Sequence, residues 1–220
     1  LISTGNVIDS ITYTNFSDMT FNGIVNSATD TIVFSYSSFT GLMGSHTISN
    51  GKTKLINCSF QNLNKSAIYT NNYFYVENCL FKNITGYGAI ALNSGSVFVK
   101  KSKFENNFAN SGNWGPNGGA LSYKLASAGL ARFQNCIFIN NYGAGGNEAG
   151  GIAFFSLNTG NAQTLQLENC TFDAISRIQY VKVNGKIHLE FKNTTLPSVS
   201  YSHDAATSSS FIHLYRSFYR

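Results

Sequence analysis

Apolar residues recur along this chain with two superposed periods. The short period is two. Phe74 and Val76, Val97 and Val99, Ala131 and Phe133, Leu165 and Leu167, and Leu189 and Phe191 alternate with polar positions such as Lys54, Glu77, Lys100, Arg132, Gln134, Gln166, Glu168 and Lys192. Such alternation marks a strand with one buried face. The long period is about twenty residues. Asn-Cys-x-Phe stands at residues 57–60, 78–81, 135–138 and 169–172, and the same anchor recurs as Phe21, Phe39, Phe104 and finally Leu196. Successive anchors lie 18, 21, 21, 23, 34, 34 and 24 residues apart. Five residues before each anchor the chain is apolar: Phe16, Phe34, Leu55, Val76, Val99, Phe133, Leu167 and Phe191.

The alternation slips one step between the strand and its anchor. Asn57, Asn78, Asn135, Asn169 and Asn193 sit at that slip, three residues before the anchor. Asn enters the left-handed backbone region more readily than most residues, so it is expected to make the bend. A second Asn follows two residues after several anchors: Asn22, Asn62, Asn83, Asn106 and Asn140. A third apolar run then appears at residues 67–69, 89–92, 120–125, 151–157 and 180–183. Each repeat reads as strand, bend, short strand, turn, strand. The fold this predicts is all-β: a single-stranded parallel β-helix of about eight coils, each with three short strands. No stretch carries sustained helical periodicity, and the repeat is too short for a propeller blade. Right-handedness follows from the general preference of parallel crossovers.

Composition adds bounds. At 220 residues the chain is one domain, 1–220, with 1–10 expected as an N-terminal cap or seam and 201–220 as a C-terminal cap or docking tail. It begins at Leu1 with no visible signal peptide, the expectation for a processed chain or a piece of a longer one. No apolar run is long enough to span a bilayer. Charged residues make up 11% and the net charge is +5, with basic residues scattered along the sequence. Without a basic stripe or a recognisable module, nucleic acid is not an expected partner.

The four cysteines share one repeat position, so Cys58 is expected to stack on Cys79, and Cys136 on Cys170. They read as buried thiols, with disulfides the alternative. Six N-glycosylation sequons occur. Asn15, Asn64 and Asn83 are the expected glycan carriers if the chain takes a eukaryotic secretory route. Asn57, Asn169 and Asn193 sit at the bend and are candidates for buried ladder residues.

Two repeats carry a further signature. Phe104-Glu105-Asn106-Asn107 is followed by Gly118-Gly119-Ala120-Leu121, and Phe138-Ile139-Asn140-Asn141 by Gly150-Gly151-Ile152. This order resembles the repeats of polymorphic outer-membrane proteins and related autotransporter passengers, and it is similar to wider right-handed β-helix surface proteins. The resemblance implies a right-handed coil and an extracellular or cell-surface role, often adhesion. It carries no catalytic residues and no cofactor.

Few residues point to chemistry. Polysaccharide lyases and glycosidases on this architecture need convergent acids or an acidic cation site. The ten acids here are dispersed, and Glu77 and Glu168 share a register several coils apart. The four histidines have no metal-ligand spacing. An enzyme is therefore not expected, nor a metal or cofactor. The best candidate site is the pair of lengthened repeats. Their extra residues, 108–117 and 142–149, would stack side by side as one protrusion, and Asn113, Trp114, Tyr142 and Glu148 would offer a ring platform with polar neighbours. The bland alternative is a pair of tolerated turns. The expected function is an extracellular adhesive or structural scaffold contacting a glycan or surface protein. The alternatives are a subunit of a head-to-tail filament, through end-to-end self-association, and a polysaccharide-cleaving enzyme.

Overall fold

The computed structural model describes residues 2–219 except 4–8, 19, 22–23, 27–30, 45–46, 50, 111–117, 126–128, 144–150, 157–161, 177, 183–185, 197–198, 204–210 and 216–217. Three parallel sheets, each of nine strands, wrap one core. The long sheet begins Asp9–Thr12, Thr31–Ser35, Lys52–Ile56, Tyr73–Glu77 and Ser96–Lys100, continues Gly129–Gln134, Ala162–Glu168 and Lys186–Lys192, and ends at Phe211–Tyr215. The short sheet holds the anchors, from Asn15–Ser17 through Ser59–Gln61, Leu80–Lys82, Lys103–Glu105 and Ile137–Ile139 to Phe218–Tyr219. The third sheet runs from Ile2–Ser3 through Ile68–Thr70, Ile90–Leu92, Leu121–Leu125, Ile152–Ser156 and Ile178–Lys182 to Val199–His203. Every strand pairs only with its equivalents one repeat away, so nine coils stack over ~38 Å at ~4.8 Å per coil.

The ends differ from the sequence expectation. Phe16 pairs with Phe39 in the short sheet, and Ile11 pairs with Phe34 in the long one. The first anchor is therefore Phe16, while Phe21 pairs with Gly44 in a small side sheet. The spacing misled because Phe16 and Phe21 are five residues apart, the same interval that separates a strand residue from its anchor. At the other end, Leu196 pairs with Tyr219, and strands from the expected tail complete a ninth coil.

Bends at two positions set the coil's shape. The residue three before the anchor has positive φ in eight coils: Tyr13 (53°), Tyr36 (50°), Asn57 (53°), Asn78 (53°), Lys101 (49°), Asn135 (54°), Asn169 (51°) and Asn193 (48°). One left-handed residue turns the strand and shifts the alternation by one step, so the next residue points inward again. Asn dominates because it tolerates this region at least cost. Two residues after the anchor, Asp18, Asn62, Asn83, Asn106 and Asn140 make the second bend at φ 48–55°. Backbone hydrogen bonds continue through the first corner, as Asn57 N donates to Glu77 O (3.0 Å) and Lys101 N to Gln134 O (2.9 Å).

Inside, equivalent residues pile in register. Phe16, Phe39, Phe60, Phe81, Phe104, Phe138 and Phe172 form one stack with centroid spacings of 4.8, 4.6, 5.1, 4.8, 5.1 and 4.3 Å and interplanar angles of 1–7°. Phe34 and Phe133 meet this spine edge-on, at 5.7 Å from Phe39 and 5.5 Å from Phe138. Offset stacking and edge contacts are the arrangements that aromatic quadrupoles favour. Just after the first corner, Ser37, Cys58, Cys79, Ser102, Cys136, Cys170 and Thr194 form a buried column. Its members also bond along the helix: Cys79 N donates to Ser102 Oγ (3.1 Å), and Thr194 Oγ1 to Leu167 O (3.2 Å). The position thus selects small residues with a donor and acceptor. All four cysteines are buried and free, and burial pushes the Cys79 and Cys136 thiols up.

Candidate functional site

Coils five and six depart from the regular pattern where their loops begin. The inward residue after the second bend is Leu42, Leu63 and Ile84 in coils two to four, and becomes Asn107 and Asn141 in coils five and six. A buried amide requires partners, and both asparagines have them. Asn107 Nδ2 donates to Phe81 O (3.1 Å) and Asn141 Oδ1 (2.8 Å), while its Oδ1 accepts from Ile84 N (3.1 Å). Asn141 Nδ2 donates to Phe104 O (3.0 Å) and Ile139 O (3.1 Å), and Asn141 N donates to Ser176 Oγ (3.0 Å). The ladder fixes the start of both loops. Immediately after it, Thr85–Gly86, Phe108–Ala109 and Tyr142–Gly143 form a fourth, three-stranded parallel sheet.

The returning chain locks onto this sheet through the double glycine. A Cβ on Gly119 would collide with Asn107 O and lie 2.6 Å from Tyr142 N. A Cβ on Gly118 would strike Leu121 O and Ala153 N. The two halves of the motif, Asn107 and Gly119, are therefore opposite sides of one backbone contact. The loops leave and re-enter through a rigid, close-packed base.

Of the four residues expected to form the binding platform, the structure describes Tyr142. Its ring is 44% exposed and leans on Phe108 at 4.8 Å with a 37° tilt. Asn113, Trp114 and Glu148 lie outside the described residues. The rim beside Tyr142 was missed in the sequence. Ile137 and Ile139 point outward from the short sheet, 43% and 36% exposed, and Ile175 in the next coil is 49% exposed. The available signal was apolar residues on the polar phase of the alternation.

A second surface also went unrecognised. On the outer face of the long sheet, Lys54, Tyr75, Phe98, Arg132, Gln166 and Glu190 fall in one register row. Lys54 Nζ lies 5.4 Å from the Tyr75 ring centre, Tyr75 stacks on Phe98 at 5.6 Å, and the Arg132 guanidinium lies 5.4 Å from Phe98. Both rings thus have their faces covered. Tyr75 donates its hydroxyl to Glu77 (2.7 Å), which pushes its pKa up to about 12. At the end of the row an open polar cleft of about 230 Å³ is lined by Arg132, Gln166, Leu167, Glu168, Glu190 and Lys192. Glu168 accepts from Gln134 (2.6 Å) and Lys192 (3.0 Å) and pairs with Arg132 (3.5 Å). These contacts, Gln134 first, hold its carboxyl below the usual glutamate range. Glu190 accepts from Gln166 (2.8 Å). Such a cleft suits hydroxyl-rich ligands. Glu77 and Glu168 share a row three strands apart, as their spacing predicted.

The sequon asparagines occupy outward positions. Asn15, Asn64 and Asn83 are exposed. Asn169 and Asn193 are also exposed, and Asn57 is half-buried, so the expectation of a buried ladder is corrected. The ladder exists, but on the surface. Asn78 Nδ2 donates to Asn57 Oδ1 (2.6 Å), and Asn193 Nδ2 to Asn169 Oδ1 (3.2 Å). A left-handed corner turns its side chain outward, while the residue after it points in. Among the described residues there is no group of three or more His, Cys, Asp or Glu placed to hold a metal, and no helix long and apolar enough to cross a membrane.

Stacked parallel coils around an aromatic spine agree with the comparison to known families. A family model described as right handed beta helix region matches residues 2–196. The chain belongs to this family. Its membership carries the right-handed coil and the scaffold. No curated protein and no solved structure matches the chain.

Proposed function

We propose that this right-handed β-helix is an extracellular adhesive scaffold, which presents the paired loops of coils five and six to a glycan or a surface protein. The observation that carries the reading is the exposed apolar rim of Ile137, Ile139, Tyr142 and Ile175 beside the loop base. Clustered apolar surface at the edge of a polar scaffold marks contact sites. Trp114 adds the chain's one tryptophan to the same loops. Rigid presentation lowers the ordering cost of binding, and the Asn107–Asn141 ladder and Gly119 contact supply it. A glycan array and a cell-surface binding assay test the reading. Binding is expected to fall at least tenfold in Trp114→Ala and in Tyr142→Ala with folding unchanged. Binding that survives both substitutions, together with Ile139→Ser, overturns it.

A second reading, polysaccharide cleavage, draws on the polar cleft, where Glu168 and Glu190 share one opening. Glu168 is held ionised by its partners, which suits a nucleophile or base and not an acid. Release of reducing ends from neutral or acidic glycans, abolished in Glu190→Gln, would favour this reading over the scaffold.

A further inference from the structure

Seven lysines and two glutamates fall between residues 48 and 110, a formal +5, while the rest of the chain carries eight basic and eight acidic residues. Stacking therefore gathers residues that look scattered in sequence, and the whole net charge sits in coils three to five. Six of these lysines, Lys52, Lys54, Lys82, Lys100, Lys101 and Lys103, belong to the long and short sheets or to the corner between them. Successive coils place their rows one strand spacing apart, ~4.8 Å. Two acids stand among them. Glu105 is shared by Lys103 (2.6 Å) and Lys82 (2.9 Å), and Glu77 pairs with Lys100 (3.7 Å).

Lys101 is the independent observation. It holds a left-handed corner at φ 49° where five of the other seven equivalent corners are Asn. It stands between Asn78 and Asn135 in the corner series, and so interrupts the exposed amide ladder that joins Asn57 to Asn78. Its side chain is exposed, and its charge reaches Glu77, whose carboxyl is held below the usual range by the Tyr75 hydroxyl first and then by Lys100 and Lys101. A lysine held at a backbone position that favours Asn keeps a cation on this corner at a backbone cost, and such a cost points to function.

We infer that this corner binds a linear polyanionic glycan, one bearing closely spaced carboxylate or sulfate groups. Lysines act as separate point charges, suited to a row of discrete anions. Single-stranded nucleic acid fits less well, because base stacking needs open aromatic faces and those of Tyr75 and Phe98 are covered by Lys54, Arg132 and each other. The surface is separate from the loops of coils five and six and does not depend on them.

The test measures binding of the whole chain to dextran sulfate and to polygalacturonate, with neutral dextran and single-stranded DNA as comparators, at low and high salt. Both acidic glycans are expected to bind, neutral dextran not to, and the affinity to fall with salt. Sulfate and carboxylate arms identify the preferred anion. Lys54→Gln/Lys101→Gln is expected to weaken binding at least tenfold, and Lys65→Gln/Lys182→Gln, with the same change in net charge at positions outside the long and short sheets, less than twofold. Lys101→Asn restores the corner's preferred residue, so it is expected to raise the unfolding midpoint while weakening glycan binding. Equal losses in the two double variants, unchanged binding in Lys101→Asn, or tighter binding of DNA than of either glycan would overturn the inference.

Discussion

Replacing Phe81 by Ala removes the middle of the aromatic spine. The ring is fully buried and lies between Phe60 at 5.1 Å and Phe104 at 4.8 Å, nearly parallel to both. Large-to-small changes of this kind cost about 3–5 kcal/mol, because the lost transfer energy is joined by the cavity left behind. Flanking coils are tied by backbone bonds on three sheets, so the space cannot collapse. Two lost stacking contacts place the cost toward the top of the range, about 4–5 kcal/mol. Phe16 is partly buried where Phe81 is fully buried, so Phe16→Ala is expected to cost about half as much, ~2 kcal/mol. Urea unfolding followed by far-UV circular dichroism measures both. The expected result is a large fall in midpoint for Phe81→Ala with little change in slope. A cost below about 2 kcal/mol for Phe81→Ala, or equal costs at the two positions, would refute a continuous stacked spine.

Three further outcomes follow from local features. Thr53 is buried with an unpartnered hydroxyl in a column shared with Ile32 and Phe74, so Thr53→Val is expected to stabilise by about 1 kcal/mol in the same assay. Gly119→Ala forces a methyl into Asn107 O and the Tyr142 backbone, and is expected to destabilise by several kcal/mol while exposing the loop base to proteolysis; unchanged protease resistance would argue against the clamp. Glu105 is held below the usual range by Lys103 and then Lys82. Its contribution is fully present above the unfolded glutamate value near 4.3 and is lost as pH falls through the lowered folded value. The gap in thermal midpoint between the wild-type chain and Glu105→Gln is therefore expected to close as pH falls from about 6 to about 2, and a gap that widened would reverse the sign of the linkage.

The coil was legible because period-two alternation, the twenty-residue anchor and the bend asparagines are local signals that agree. Asn57, Asn78, Asn135, Asn169 and Asn193 all proved left-handed. The first coil was misread because Phe16 satisfies two positions of the repeat, and only pairing with Phe39 decides between them. The candidate site was less legible. The lengthened repeats located the loops, but Asn107 and Asn141 stood out only as members of the repeated signature, and the column is what places them inside. The polar cleft and the basic corner each draw on three successive coils, from Arg132 to Lys192 and from Lys52 to Lys103. Their meeting depends on register, which a linear pattern of charge does not express. Tyr75 and Phe98 were visible as aromatics on the outward phase, yet their partners Lys54 and Arg132 lie one coil to either side.

The most direct measurement is a crystal structure with the positions of Phe60, Phe81, Phe104 and Phe138 resolved. In-register stacking predicts one column with successive ring centroids at 5.1, 4.8 and 5.1 Å. Any of these rings pointing to solvent, or displaced by a coil from its neighbours, would contradict the register on which the loop base, the cleft and the basic corner all depend.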